Sequence, residues 1–405
     1  MMDLLSAEGW EILSVAACAS VACGIIGPQL ILRRRAMLGD AISHGVLPGL
    51  VLGFVISGSR GLFPMMVGAL IAALLVSFLA EWLRDRAGLD GGAALGVVFT
   101  SLFAIGIILV EIFARDVDLD PGCVLHGMVE LAPLDQVVWF GRSIPRSLVP
   151  VSIALILNLV VTLLLWKEWK ICAFDPTLAR ATGLPVKTLE QGLLALVAIT
   201  SVACFEAVGS VLVIAMLAVP ATIAHLLCNR MGSMVIVSML AGFLSAFIGT
   251  ISAEQLNTNV PGMMATSSGF LLMGAVLLAP GRGVIPSSVR KLRWNLRVTM
   301  EDLLAEAQLC ADSSRSVPTA RLFSFRHLVT SLLEIRGFIR GGKPRGDGKR
   351  IARALLEKRG LWRRFAAERL GLAPDHLDDP AHRIEHHLDE DLTRKIETGL
   401  DSKRS

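Results

Sequence analysis

The sequence predicts an all-α protein: a polytopic transmembrane bundle of eight or nine spans over residues 1–289, then a small soluble helical domain over residues 290–405. Three observations predict it. Mean hydropathy is +0.62, with 53% hydrophobic and 18% charged residues, above what a soluble domain shows. Charge is divided unevenly: residues 1–289 hold 15 Lys/Arg and 18 Asp/Glu, leaving 24 and 17 of the totals 39 and 35 for residues 290–405. Finally, apolar runs of the roughly 20 residues needed to cross a bilayer recur along the first part only. A single soluble enzyme domain is excluded.

The runs lie near 10–32, 38–57, 62–83, 93–113, 148–166, 188–204, 207–228, 233–252 and 262–280. The first could pass for a leader peptide, but Arg33-Arg34-Arg35 follows it instead of preceding it, so it reads as a retained span. The second is broken by Gly and Pro, and 188–228 reads as a hairpin with its turn at Glu206. Residues 114–147 carry Pro121, Pro133 and Pro145 and suggest a short interfacial or re-entrant helix. Tyr is absent, so Trp10, Trp82, Trp139, Trp166 and Trp169 supply the interfacial aromatics. The seven cysteines form no CxxC pair and read as small hydrophobes.

Alternate threading of nine spans puts Arg33–Arg35, Arg84/Arg86, Lys167/Lys170/Arg180/Lys187, Arg230 and Arg282/Arg290/Lys291/Arg293 on one side. By the positive-inside rule that side is cytoplasmic and the N-terminus lies outside. Asp116, Asp118, Asp120, Glu130 and Glu254 fit the opposite side, whereas Arg142 and Arg146 do not.

The sharpest intramembrane signal is Gly39-Asp40-Ala41-Ile42-Ser43-His44-Gly45-Val46-Leu47-Pro48-Gly49. Asp40 and His44, four apart, share a helix face, and carboxylate plus imidazole suits a divalent cation. The alternative is a helix cap at Asp40 and a packing histidine at His44. Further on, Pro176 and Gly183 bracket a short helix in the longest loop on the basic side. His225 reads as interfacial, Glu206 as a break or bundle-facing group, and Gly209, Gly242 and Gly249 as sites of close helix packing. No Walker-type phosphate loop is present, so the chain is not expected to hydrolyse ATP by itself in the usual way.

Four segments carry a resemblance: Arg34-Arg35-Ala36-Met37-Leu38 running into the Gly39–Gly49 motif, Leu95–Gly106 (LGVVFTSLFAIG), Phe174–Pro185 (FDPTLARATGLP) and Ala207–Ala221 (AVGSVLVIAMLAVPA). In this order they resemble the membrane (permease) subunits of the zinc, manganese and iron family of ATP-binding-cassette importers, over residues 10–285. The resemblance implies that Asp40 and His44 line the metal path. It implies that Asp175, Pro176, Ala179, Gly183 and Leu184 belong to a coupling helix that docks into an ATP-binding cassette subunit, where ATP is hydrolysed. It also implies an extracytoplasmic metal-binding protein, a second permease copy in a homodimer or related heterodimer, and a place in the cytoplasmic (inner) membrane.

After residue 290, amphipathic helices are predicted at Met300 to Cys310, His327 to Ile339, Lys349 to Leu370 and Pro380 to Leu400. Leu303, Leu304 and Ala307 mark the apolar face of the first, and Leu328, Leu332 and Ile335 that of the second. Residues 341–348 suit a small wing. His382, Glu385 and His386 at i, i+3 and i+4 share a face and offer either a transition-metal donor set or a solvated polar surface.

Residues 349–400 also resemble the metal-binding and dimerisation domain of the diphtheria-toxin-repressor family of iron-dependent regulators, through Lys349-Arg350-Ile351-Ala352, Arg369-Leu370-Gly371-Leu372 and the His376–His387 stretch. Extended to Val298–Asp302, the resemblance implies ligand roles for Asp302, Asp378, His382, Glu385 and His386. Arg359 and Arg363 stand where that family carries a His and an acidic residue, and two cations there oppose a metal by charge.

Arg321, Arg326, Arg336, Arg340, Lys343 and Arg345 suit DNA phosphates, anionic lipid or the cassette subunit. Residues 312–325 are short for a full helix-turn-helix, which leaves at most a degenerate winged helix. The expected function is therefore the permease subunit of a divalent-metal importer for Zn, Mn or Fe, with no permanently bound cofactor and a cytoplasmic tail that senses metal or dimerises. The alternatives are a membrane-tethered metal-responsive transcription regulator and a permease for a metal chelate such as a siderophore.

Overall fold

A computed structural model describes residues 5–35, 37–58, 62–113, 129–139, 142–312, 325–341, 343–373 and 377–401. It divides into two units, Met1–Pro286 and Ser287–Ser405.

The first unit contains α1 (Ala7–Leu32), α2 (Leu38–Gly45), α3 (Leu47–Ser57), α4 (Leu62–Ala87), α5 (Gly91–Phe113), α6 (Leu148–Leu164), α7 (Trp166–Phe174), α8 (Pro176–Ala181), α9 (Val186–Val208), α10 (Ser210–Leu227), α11 (Met231–Leu256) and α12 (Val260–Leu278). Among the described residues, eight helical segments are long and apolar enough to cross a membrane, and α6 with α7, bent by 75°, makes a ninth. The expected span count therefore holds.

α1 is the core of the bundle. Val15, Ile25, Ile26 and Leu30 are at most 1% exposed, and the helix packs against α6, α9, α10 and α11. Two polar side chains fasten this core where no water competes: Asn158 Nδ2 donates to the Ala22 carbonyl at 3.0 Å, and Thr200 Oγ1 donates to Asn158 Oδ1 at 3.0 Å. By contrast α4 and α5 expose Phe63, Ile71, Phe78, Ile105, Ile108 and Ile112. Such apolar faces are what lipid solvates and water does not.

The second span is two helices meeting at Val46, with Pro48 at the start of α3. Its contact with α4 is set by small residues, because a Cβ on Gly49 would stand 2.1 Å from the Gly68 carbonyl oxygen. Gly249 likewise leaves no room for a side chain, a Cβ there standing 2.5 Å from the Met264 Cα, and Gly242 packs tightly on the Ser20 carbonyl oxygen, 3.0 Å from where its Cβ would lie. Gly209 does something different. It breaks α9 from α10 with φ +80° and ψ 155°, a conformation open to glycine, so the turn expected at Glu206 falls three residues later.

The interfacial or re-entrant helix expected within 114–147 is not among the described residues. They form a 3-10 turn at Val129–Leu131 and an antiparallel hairpin of β1 (Gln136–Trp139) and β2 (Arg142–Pro145). Val137 and Val138 favour the extended chain, and Pro133 and Pro145 bound it. Glu130 reaches α12, where its Oε1 accepts the free Val260 N–H at 2.7 Å. Asp116, Asp118, Asp120 and Pro121 lie outside the described residues.

The tail comprises α13 (Val284–Asp312), α14 (Phe325–Ile335), a hairpin of β3 (Ile339–Arg340) and β4 (Lys343–Pro344), α15 (Asp347–Arg369), α16 (Asp378–Ile384), a 3-10 turn (Glu385–His387) and α17 (Glu390–Asp401). The small wing expected at 341–348 thus starts two residues early, with two residues per strand. Leu303, Leu304 and Ala307 are buried as expected, but α14 turns Val329 and Leu333 inward. Leu328 and Ile335, assigned to the apolar face, are exposed. The single helix expected from Pro380 to Leu400 is split at Leu388, where the chain is extended and Asp389 Oδ1 caps α17 by accepting the Leu392 N–H at 2.8 Å. Arg321 and the 313–324 segment lie outside the described residues.

Candidate functional site

On α2, His44 Nε2 lies 3.5 Å from Asp40 Oδ1, and the two side chains are 35% and 37% exposed. The four-residue spacing accounts for the pairing. The imidazole is held by α5, with ring centroids 5.9 Å from Phe99 and 5.5 Å from Phe103. Ser43 Oγ donates back to the Gly39 carbonyl at 2.8 Å and so stays within the helix. α2 therefore presents an acceptor carboxylate beside a partly exposed imidazole, a pair that can bind a divalent cation in passing without enclosing it. His225 lies near the end of α10, half-buried, and its carbonyl accepts from Arg282 at 2.6 Å. The Glu206 side chain lies outside the described residues.

Five residues before Asp40, Arg35 forms an ion-pair node that sequence reasoning missed. Its Nη2 lies 3.1 Å from both Glu81 Oε1 on α4 and Glu190 Oε2 on α9. All three side chains are largely buried, at 16%, 15% and 22% exposure. Arg84 adds a second contact to Glu81 at 3.5 Å. The neighbouring Arg33 is pulled below its ordinary range by burial, against the opposing pull of Glu190. The partners are 46 and 155 residues from Arg35, so no local pattern could have revealed them.

The loop helix forms as its punctuation predicts. Asp175 caps α8, its Oδ1 accepting the Thr177 and Leu178 N–H groups at 3.0 and 2.9 Å, with Pro176 at the first helical position. At the other end Gly183 takes φ +83°, and the Leu184 N–H returns to the Ala179 carbonyl at 3.0 Å. Ala179 is buried with Cys172 and Val186, while Leu178 and Phe174 are exposed. α8 is thus a knob capped at both ends, with an apolar tip. It leads within a few residues into α9 and Glu190.

In the tail, Asp302, His382, Glu385 and His386 converge, with one donor atom from each within 4.8 Å of the others. Asp378, also expected as a ligand, does not join them. It is 74% exposed and pairs with Arg363 Nε at 3.1 Å, a cation that draws it away from the cluster. Glu301, not anticipated although it adjoins Asp302, takes His386 instead: its Oε2 lies 2.7 Å from His386 Nδ1, and His386 Nε2 lies 3.1 Å from Asp302 Oδ1.

The remaining donors face Arg359. Its Nε and Nη2 each donate to a Glu385 oxygen at 2.5 Å, and Nη2 also lies 2.8 Å from His382 Nδ1. The hydrogen-bonded Glu385 carboxylate holds the Arg359 guanidinium above its ordinary range. A zinc-like ion needs unshared nitrogen and oxygen lone pairs at about 2.0–2.2 Å. Here both Glu385 oxygens and His382 Nδ1 meet a cation, and Asp302 and His386 meet each other. The residues present do not fit a resident metal in this arrangement. Arg326, expected on a basic surface, is paired with Glu306 at 2.6 Å.

Two family models match separate stretches of the chain. Residues 10–279 match the family model of the ABC 3 transport family, and residues 346–404 match that of the iron dependent repressor, metal binding and dimerisation domain. The chain is 42% identical over 289 residues to the manganese transport system membrane protein MntD of Bacillus subtilis, covering 71% of this chain and 97% of that one. It is 35% identical over 371 residues to the zinc transport system membrane protein TroD of Treponema pallidum, covering 91% and 98%, so that similarity extends into the tail. Among solved structures, PsaBC from Streptococcus pneumoniae in complex with Fab superposes with a TM-score of 0.57 at 26% identity, over 67% of this chain and 92% of that one. Sequence motifs, span architecture and relatives converge: the chain belongs to the ABC 3 transport family, as a multi-pass membrane protein with a region like the iron-dependent repressors' metal-binding and dimerisation domain at its C-terminal end.

Proposed function

We propose that the chain is the permease subunit of an importer that carries a divalent transition metal, Zn²⁺, Mn²⁺ or Fe²⁺, across the cytoplasmic membrane. The observation that carries this reading is the Asp40/His44 pair, partly accessible on a membrane-span helix and lodged against Phe99 and Phe103. An ionisable pair in a bilayer is costly and calls for a function. Manganese and zinc transport, in the printed names of the relatives, is the function this donor set suits.

Asp40 contributes charge and a hard oxygen, and His44 a borderline nitrogen. With only two protein ligands and water completing the shell, the ion is held weakly enough to leave. The cargo is an ion bound in transit, and no resident cofactor is needed. α8 with its caps and flanks, residues 175–184, is the surface on which a cassette subunit docks, and hydrolysis of ATP takes place in that subunit. A binding protein outside the membrane delivers the ion, and a second permease copy completes the pathway. The tail lies in the cytoplasm, on the side of the basic loops.

The test is uptake of radiolabelled Zn²⁺, Mn²⁺ and Fe²⁺ by vesicles containing the chain with its cassette and binding proteins. ATP-dependent uptake of one ion, reduced at least about tenfold in Asp40→Ala/His44→Ala, supports the reading. A relative 34% identical over 246 residues is named a chelated iron transport system membrane protein. Uptake of chelated iron only, with the double variant unimpaired, would replace free-ion import by chelate import.

A further inference from the structure

We propose that Arg359 is a built-in cation of the tail: its guanidinium stands at the donor cluster that a metal-binding relative of this domain would give to an ion, and it ties the tail's helices together without metal. The inference concerns the tail alone and stands or falls separately from the transport reading.

The first support is the burial of Glu385, whose side chain is 0% exposed. A carboxylate withdrawn from water needs a counter-charge and satisfied oxygens. Arg359 supplies both through a two-pronged contact, one nitrogen to each oxygen. The planar fork of arginine matches a carboxylate in a way that the point charge of lysine does not.

Connectivity is the second support. Arg359 comes from α15, Glu385 and His386 from the turn after α16, and Glu301 and Asp302 from α13. The run Arg359–Glu385, Arg359–His382, His386–Asp302 and His386–Glu301 joins these three elements through side chains that satisfy one another. One ion on Asp302, His382, Glu385 and His386 would tie α13 to the α16 turn by the same logic, and Arg359 brings α15 into the same knot. Lys358, beside it on α15, donates its Nζ to the Leu388 carbonyl. α15 thus grips the 385–388 turn with two adjacent cations. Below them Leu361, Leu388 and Ile396 form a small apolar core.

Charge is the third. An incoming divalent ion would meet a fixed guanidinium within hydrogen-bond distance of both Glu385 oxygens and of His382 Nδ1, and must displace it before coordinating through any of those atoms. A tail in this state is insensitive to the ions the cell imports and serves as a structural clasp.

The experiment uses the full chain in detergent, in the Asp40→Ala/His44→Ala background so that the bundle's own pair does not bind the probe. Hydrogen exchange of the amides of Leu377–Asp401 is measured with chelator and with saturating Mn²⁺ or Zn²⁺, and Co²⁺ is titrated as a spectroscopic probe of nitrogen and oxygen ligation. The expected result is equal protection in both conditions and no saturable Co²⁺ band. Arg359→Gln is expected to lose protection over Leu377–Asp401 in chelator, and to gain Co²⁺ binding at least about tenfold tighter than the parent's, abolished by a further His386→Ala. Arg359→Lys, which keeps the charge and loses the fork, should lose part of the protection and gain no Co²⁺ site. Metal-dependent protection in the parent, or a parent Co²⁺ band removed by His386→Ala, would overturn the proposal by showing that an ion displaces the arginine. The parent measurement needs no substitution in the tail.

Discussion

Replacing Arg35 by alanine is expected to destabilise the membrane unit and to loosen the link between α9 and the turn that leads into Asp40. Arg35 faces two carboxylates at 3.1 Å, on α4 and α9, with all three side chains less than a quarter exposed. Deleting one partner of a fully buried ion pair costs about 3–5 kcal/mol, because the remaining charge is left without compensation. Two features reduce that here. Glu81 keeps Arg84 at 3.5 Å, and Glu190 keeps the field of Arg33. About 2 kcal/mol is then the expected loss, since the stranded carboxylates retain part of their compensation.

For a unit of this size that corresponds to a fall of roughly 4 °C in Tm. The assay is thermal unfolding of the full chain in detergent, followed by tryptophan fluorescence. The cycle is completed with Glu81→Gln/Glu190→Gln and with all three substitutions combined. If the node acts as argued, the arginine deletion becomes nearly neutral once both carboxylates are removed. An Arg35→Ala chain that unfolds at the parent temperature, or one equally damaged in the Gln/Gln background, would refute the electrostatic account.

Two further outcomes combine the same unfolding assay with transport by the assembled complex in vesicles. Gly49→Val should drive α3 from α4, since even a Cβ there stands 2.1 Å from a carbonyl oxygen that cannot give way. The helices must part by about 1 Å at a cost of about 1–3 kcal/mol, seen as a lower Tm and reduced uptake. Gly269→Ala, with nothing within 4 Å, is the control and should change neither. Asp175→Ala removes the acceptor of two N–H groups at the head of α8. The loss of about 1 kcal/mol in a single-turn helix should fray the knob, lowering ATP hydrolysis coupled to uptake in the assembled complex while leaving the bundle's Tm within about 1 °C of the parent; Asp175→Ser should restore it.

What could be read locally was read well. Hydropathy over windows of about 20 residues located the spans, because burial in lipid imposes a length on each helix independently of its neighbours. Pro176 and Gly183 bracketed α8 because caps act over one turn. His382, Glu385 and His386 were gathered by spacing, although a 3-10 turn carries the last two where a continuous helix was expected. The failures are equally physical. Leu328, Leu332 and Ile335 satisfied the helical period as well as Val329 and Leu333 did, and only the position of α13 and Ile339 decided which stripe was buried. The hairpin at 136–145 escaped notice because two four-residue strands leave little periodicity to detect.

The sequence by itself determined that the first part of the chain must live in a bilayer, where its helices begin and end to within a few residues, and which short segments carry ionisable groups too costly to be idle there. Those properties depend on residues near one another in the chain. Only the tertiary structure decided how charges far apart in sequence are matched: Arg35 with Glu81 and Glu190, Asp378 with Arg363 outside the cluster, and Arg359 with Glu385 inside it. A cation selects its partner by distance and burial, and both exist only after the helices have packed.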